Sequence, residues 1–185
     1  MMVIDARGFS LIEAVVGVSL LAVGVSAAAQ VVLASGRANA ASRQAAVVQL
    51  AARERMEQLR SLAWTSDAAL VPLSDWSSDL TFTPPRATGG VGLGVAPANA
   101  LVSNVAGYCD FLDSRGTWMS SGPQAPAGAV WVRRWSVALV NTLPDTLTLQ
   151  VIVVPVSVGS GPAAVSVARA VNGAWLLDVK TRRAP

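Results

Sequence analysis

The stretch Gly8-Phe9-Ser10-Leu11-Ile12-Glu13 opens an apolar run that continues to Gly36. Glu13 is the only charged residue in that run. The 23 residues 14–36 carry no charge, and at about 1.5 Å per residue a helix of this length spans a bilayer. A carboxylate inside such a segment is costly unless it has a partner, so Glu13 is a functional residue by default.

The helical pattern continues past the apolar run to Leu62. Residues 37–62 are rich in Ala, Leu, Gln, Glu and Arg, which favour helix, and no proline interrupts residues 9–62. An apolar stripe recurs at helical spacing and comprises Val48, Ala52, Arg55 or Met56, Leu59 and Leu62. A continuous helix here would be on the order of 80 Å long. A small domain cannot bury that length, so its N-terminal half must lie in lipid or in an assembly.

The remaining residues lose the helical pattern. Residues 64–97 are rich in Ser, Asp, Pro and Gly and are expected to form an irregular connection, with one strand near Leu80–Thr83 and a flexible loop at Gly89–Gly94. Strand signals then alternate with turn signals. The predicted strands are Tyr108–Leu112, Thr117–Met119, Ala129–Val140, Thr146–Val158, Ala163–Val171 and Ala174–Thr181. Asn172-Gly173 is the strongest hairpin signal.

These patterns predict an α+β fold in which a long N-terminal helix spine packs on a C-terminal antiparallel β-sheet, a meander of four or five strands. Trp131 and Trp135 alternate onto one face of their strand. The expected organisation is a leader at 1–8, a transmembrane and assembly segment at 9–36, a helical segment at 37–63 and a globular sheet domain at 64–185.

Composition excludes several classes of site. Histidine is absent, which excludes a His general base, a His metal site and a Ser-His-Asp triad. The lone Cys109 has no disulfide partner and is expected to be a buried small hydrophobe. The net charge of +3 is scattered, so no nucleic-acid partner is expected. We find no catalytic constellation, and we expect neither an enzyme nor a cofactor.

Two charged groups in the predicted sheet have competing interpretations. Asp110 and Asp113 are weak candidates for a calcium site, but two carboxylates are too few ligands, and hairpin-turn acids are the better account. Arg133-Arg134 between Trp131 and Trp135 resembles a basic aromatic patch for DNA. A strand with core tryptophans and stacking or snorkelling arginines is the more ordinary interpretation.

The N-terminal features together resemble the type III signal of type IV prepilins and pseudopilins. A short leader carries Arg7, then come Gly8 and Phe9, and Glu13 is the fifth residue after Gly8. The resemblance implies that prepilin peptidase cuts between Gly8 and Phe9 and N-methylates Phe9. It also implies that Glu13 acts in assembly, where the N-terminal ammonium of a neighbouring subunit neutralises it.

The sequence at the end of the helix restricts the resemblance to particular classes within that family. Residues 50–60, Leu-Ala-Ala-Arg-Glu-Arg-Met-Glu-Gln-Leu-Arg, look like the same region of minor pilins of the PilV type and of type II secretion pseudopilins. The stretch around Gln30 lacks the proline of many major pilins, and Cys109 cannot form their C-terminal disulfide loop. The implied partners are prepilin peptidase, other pilin subunits, the inner-membrane assembly platform and membrane lipid. The implied location is the inner membrane, with one span and a periplasmic C-terminal domain.

Other interpretations remain open. A minor pseudopilin of type II secretion and a DNA-uptake pilin share the signal, the helix and the fold. A Sec signal peptide cut near Ala27–Ala29, or a plain signal anchor on a periplasmic binding domain, explains the hydrophobicity. Both leave Glu13 without a role, because signal peptides avoid a charge inside the apolar run.

Overall fold

The computed structural model describes residues 10–169 and 173–182, and its first element is a long helix. Helix α1 runs Leu11–Ser61. Ser10 precedes it, and its Oγ accepts the backbone N–H of Glu13 at 3.2 Å, which satisfies one of the donors left unpaired at a helix start. The predicted long helix is therefore confirmed over these residues.

The chain divides into two compact units, one ending at Ser42 and the other beginning at Arg43. In the first unit every described residue is exposed. Among the described residues, α1 is the one helix whose length and composition suit a membrane span. Its most apolar 18-residue window has a mean hydropathy of 2.1, and none of that window is buried.

The second unit contains the remaining elements. Its strands are β1 (Trp64–Ser66), β2 (Pro72–Ser74), β3 (Cys109–Leu112), β4 (Trp118–Ser121), β5 (Trp131–Val140), β6 (Leu143–Pro155) and β7 (Ala174–Thr181). β1 and β2 form a separate hairpin, and the other five form an antiparallel sheet in the order β4-β3-β5-β6-β7. The antiparallel sheet is confirmed, but a simple meander is not, because β3 lies between β4 and β5.

The main core lies between the C-terminal part of α1 and one face of the sheet. The buried residues of α1 recur at helical spacing and are Val48, Ala51, Ala52, Arg55, Met56 and Leu59. Trp131 and Trp135 of β5 share the facing side of the sheet with alternate residues of β6, as the period of a strand requires. The α+β fold, a long helix packed on an antiparallel sheet, is thus observed.

The opposite face of the sheet carries a second core, where one prediction is wrong. Residues expected to be a strand at Ala163–Val171 form helix α2 (Ala163–Ala168). Ala164 and Ala168, one helical turn apart, belong to the same buried cluster as Ile152 and Val154 of β6, the strand that α2 contacts. Alternating Val165 and Val167 suggested a strand, but alanine favours helix. The expected Asn172-Gly173 hairpin therefore lacks its first strand, and Asn172 lies outside the described residues.

The connection between α1 and β3 is more ordered than expected. β1 and β2 occupy part of it. The strand predicted at Leu80–Thr83 is wrong: these residues form a turn, which an isolated bridge between Asp79 and Arg86 flanks. The glycine run is not a free loop. A Cβ on Gly92, whose φ is +52°, would lie 2.3 Å from the Asp75 carbonyl oxygen, and Leu93 is fully buried. Glycine here permits a close approach of two backbones.

An ion pair connects the last turns of α1 to the edge strand β7. It should make the stability of the fold depend on pH. Arg60 Nε donates to Asp178 Oδ2 at 2.6 Å, and this hydrogen bond holds the pKa of Asp178 below its usual range. A carboxyl with a depressed folded pKa stabilises the fold above its unfolded pKa and loses that contribution as pH falls.

We therefore expect the melting temperature of the full chain in detergent to fall as the pH drops from 6 towards 3. Asp178→Asn should flatten part of that decline, because it removes one of the titrating carboxyls. Asp145→Asn is a matched control at another surface pair with arginine, Arg182 Nε to Asp145 Oδ1 at 2.8 Å. Identical pH profiles for wild type and Asp178→Asn would contradict the assignment.

Candidate functional site

The first turn of α1 contains the residue that the sequence singles out. Glu13 is exposed, and its backbone N–H is bonded to Ser10 Oγ. Ser10-Leu11-Ile12-Glu13 also has the spacing of a capping box, a local signal that sequence reasoning missed. Gly8, Phe9 and Arg7, the other predicted site residues, lie outside the described residues, so their roles stay predictions.

The apolar part of α1 has surface chemistry suited to lipid or to neighbouring helices. Leu20 is 68% exposed and Val32 is 70% exposed. The hydroxyls of Ser19 and Ser26 donate to the carbonyls of Val15 and Ala22, each at 2.8 Å. Internal hydrogen bonds of this kind remove the cost of placing serine in a bilayer. The segment therefore presents a continuous apolar surface that water would penalise.

A buried charge cluster lies where α1 meets the sheet. Asp110 and Arg133 face each other on β3 and β5, and Arg133 donates to both oxygens of Asp110, at 3.0 Å and 2.7 Å. From α1, Arg55 Nη2 donates to Asp110 Oδ2 at 2.6 Å. All three side chains are fully buried or nearly so. This bidentate pairing fixes distance and orientation as well as charge.

Further contacts complete the cluster. Arg133 Nη1 donates to the Ala51 carbonyl at 2.9 Å and to Glu54 Oε2 at 3.3 Å. Arg55 also donates to the Leu80 carbonyl, and its guanidinium lies 4.4 Å from the ring centroid of Trp135. Burial, and then the neighbouring Arg133, lower the pKa of Arg55 to about 10. The cluster thus ties α1, the β3–β5 pair and the long connection together.

The two weak calcium candidates have different roles. Asp110 is not a hairpin-turn acid, as we expected, because its carboxylate is already engaged by two buried arginines. Asp113 is a turn acid: its Oδ1 accepts the N–H groups of Arg115 and Thr117 at 2.8 Å and 2.9 Å. Within residues 10–169 and 173–182 no group of three or more His, Cys, Asp or Glu side chains could hold a metal ion.

The arginines of β5 do not form a surface patch. Arg133 and Arg134 are 0% and 1% exposed. Neither side chain reaches solvent, so the snorkelling that we expected as one possibility does not occur. Arg134 donates instead to Asn104 Oδ1 and to the Gly159 carbonyl, each at 2.9 Å. The expectation that Trp131 and Trp135 belong to the core is confirmed. A basic aromatic surface for DNA at this strand is ruled out by that burial.

Cys109 is buried in the second core, as predicted. We expect this burial to make its thiol unreactive in the folded chain. Burial raises the pKa of its thiol to about 11, and its Sγ lies 3.2 Å from the Gly122 carbonyl oxygen, to which it donates. The thiolate is the reactive form. We expect a maleimide to leave the folded chain unlabelled at pH 7 and to label it in urea, as read by intact mass. Rapid labelling of the folded chain would contradict this burial.

The comparisons with known proteins agree with the N-terminal part of this description. The family model for the prokaryotic N-terminal methylation motif matches residues 5–29, a range that includes Gly8, Phe9 and Glu13. No curated protein and no solved structure matches the chain. The motif implies processing by prepilin peptidase and assembly with other pilins. The chain therefore carries, at residues 5–29, the N-terminal signal of a type IV pilin-like prepilin.

Proposed function

We propose that the protein is a minor type IV pilin of the PilV type, a structural subunit without enzymatic activity that takes part in pilus assembly. The observation that carries the proposal is the methylation motif at residues 5–29. It overlaps the start of α1, whose residues up to Ser42 are all exposed. A minor rather than a major subunit is supported by the absence of a proline near Gln30 and by the free, buried Cys109.

The proposed orientation places the sheet domain in the periplasm and the leader in the cytoplasm. The methylation motif supports this orientation, whereas the charges on the two sides of the apolar run do not determine it. Arg7 precedes the apolar run, and Arg37 and Arg43 follow it. Long translocated domains cross membranes largely regardless of such charges, so this distribution is compatible with a periplasmic domain.

Assembly follows from the cost of a charge in an apolar environment. An unpaired carboxylate in lipid or in a filament core is several kcal/mol less stable than a paired one. Glu13 therefore docks where the ammonium group of a neighbouring subunit's N-terminal residue is within reach. Such pairing sets the axial register between subunits and requires no catalytic group.

The experiment is deletion of the gene in its host, followed by complementation with the wild-type chain. We expect fewer surface pili in the deletion strain, and the complemented protein should appear at low abundance in the sheared pilus fraction. Intact piliation with loss of protein secretion would contradict the proposal and assign the chain to a type II secretion pseudopilus. Intact piliation and intact secretion would also contradict the proposal and would leave a DNA-uptake pilin or a signal-anchored periplasmic binding domain.

A further inference from the structure

One side-chain amide lies inside the apolar run of α1. Gln30 is the one Asn or Gln among the uncharged residues 14–36, and it precedes Arg37 by seven residues. At 1.5 Å per residue, the two residues are about 10 Å apart along the helix axis. The hydrocarbon core of a bilayer is about 30 Å thick, so a span that ends near Arg37 places the amide inside that core.

Gln30 has no hydrogen-bond partner among the residues that the structure describes. Its side chain is exposed, whereas the hydroxyl groups of Ser19 and Ser26 donate to carbonyl groups of their own helix. A glutamine amide offers two N–H donors and one carbonyl acceptor. The helix therefore satisfies these two serines by itself and leaves the amide of Gln30 unsatisfied.

Lipid cannot supply the missing partner. Hydrocarbon tails contain no hydrogen-bonding group, and burying an amide there without a hydrogen bond is costly. The side chain of Gln30 has two methylene groups, which are too short to carry the amide about 10 Å to the level of Arg37. The amide therefore requires a polar group at its own depth, and a second membrane-spanning helix can provide one.

The surface beside Gln30 can accept such a helix. Gln30 borders a shallow groove, whose other lining residues are Ala22, Val23, Ser26 and Ala27. All of these except Val23 are small, and Ala22 and Ser26 precede Gln30 by about two turns and one turn. Small side chains allow two helix backbones to approach closely in a membrane. Close approach is what a short amide side chain needs in order to reach across to a partner.

The chemistry of the amide favours a second copy of the same chain as that partner. Because Gln30 has both donors and an acceptor, two copies related by a two-fold axis can exchange two hydrogen bonds. Copies that insert in the same orientation also place this residue at the same depth. An ionised carboxylate such as that of Glu13 has acceptors alone, so it cannot pair with its own copy in this way.

The strength of such a contact is modest. Hydrogen bonds between membrane helices contribute little more than those in soluble proteins, so two of them hold a pair that still dissociates. Two chains anchored in one membrane meet at a high effective concentration, which compensates for the small contact. The expected complex is therefore a reversible dimer rather than a permanent one.

We propose that the amide of Gln30 pairs with the same amide of a second copy of this chain, in a parallel dimer whose membrane segments pack along the groove. Such a dimer requires that residues 14–36 span the membrane but not that the chain be a pilin, so it goes beyond the proposed function. It also differs from the contact of Glu13, whose partner there is an ammonium group.

Disulfide crosslinking of the full chain in host membranes tests the dimer. Val23→Cys places a thiol on the same side of the helix as Gln30, and Val25→Cys is the matched control, about 140° around the helix from Gln30. The two valines are 68% and 61% exposed. We expect oxidation with copper phenanthroline to give at least fivefold more dimer for Val23→Cys. The native Cys109 is buried, so the wild-type chain supplies the background.

The role of the amide is tested within the Val23→Cys chain. Gln30→Leu keeps a side chain of similar size but removes the donors and the acceptor, and it should lower the dimer yield about tenfold. Ser26→Ala is the control in the same groove. Its hydroxyl is already bonded to the carbonyl of Ala22, so its loss should leave the yield unchanged.

Several results would overturn the dimer. They are equal yields for Val23→Cys and Val25→Cys, an unchanged yield in Gln30→Leu, an equal loss in Ser26→Ala, and a crosslinked product that contains a different protein. Cleavage after Gly8, read by mass in the same membranes, tests the proposed function separately. We expect the dimer in cut and uncut chains alike, so an uncut chain would contradict the proposed function alone.

Discussion

Asp110→Ala is expected to destabilise the globular unit by about 3–5 kcal/mol, the usual cost of removing one partner from a buried ion pair. The carboxylate faces two buried guanidinium groups, at 2.6 Å from Arg55 Nη2 and 2.7 Å from Arg133 Nη2. Its removal leaves two cations in the core, with the half-exposed Glu54 as their nearest acid. Because domains are stable by only about 5–15 kcal/mol, a large fraction of the stability should be lost.

Urea unfolding of the full chain in detergent, followed by tryptophan fluorescence, measures this loss. Asp113→Ala is the matched control, since Asp113 is an exposed turn acid on the same hairpin, and its loss should be clearly smaller. The triple variant Arg55→Met, Asp110→Leu, Arg133→Met should recover much of the stability, because apolar residues of similar volume often replace buried ion clusters without cost. Equal losses for Asp110→Ala and Asp113→Ala would refute the role of the cluster.

Glu13→Ala is expected to leave the chain membrane-inserted and cut after Gly8 but to reduce its incorporation into filaments about a hundredfold. That factor corresponds to roughly 3 kcal/mol, the lower end of the cost of leaving one member of a buried pair alone. Here the member left alone is the N-terminal ammonium of a neighbouring subunit. The measurement is the ratio of the protein in sheared filaments to that in membranes.

The capping-box spacing of Ser10 and Glu13 at the start of α1 offers a competing explanation for the same phenotype, and two variants separate the explanations. Glu13→Gln keeps a residue that suits a capping box but removes the charge, so it should behave like Glu13→Ala. Ser10→Ala removes the observed cap and keeps the charge, so it should assemble nearly as well as wild type. Normal assembly of Glu13→Gln would mean that the role of Glu13 is capping and not charge pairing.

Features encoded locally could be predicted from the sequence. The span and length of α1 follow from a charge-free run and helix-forming residues without proline, and the strands from β3 to β6 follow from turn residues between apolar runs. The six residues of α2 carry both helix and strand signals, and the burial of Ala164 and Ala168 on one side of the segment favours the helix. The short strands β1 and β2 carry too few residues for a periodic signal.

The ion cluster could not be predicted from local patterns. Asp110 is 55 residues from Arg55 and 23 from Arg133, and their meeting depends on the β3–β5 register and on which face of α1 meets the sheet. Arg55 already stood in the predicted apolar stripe beside Met56, and an arginine in a core-facing stripe requires a buried acid. A charged residue in the apolar stripe of α1 is therefore the one feature of the sequence that indicates a buried ion pair.

The mass of the N-terminal peptide tests most directly whether the chain is a prepilin. The protein is purified from host membranes with an active prepilin peptidase and from membranes in which the peptidase is inactivated. We expect a peptide that begins at N-methylated Phe9 only when the peptidase is active. A peptide that still contains Met1 or Met2 in both strains, or one that begins near Ala29, would contradict it.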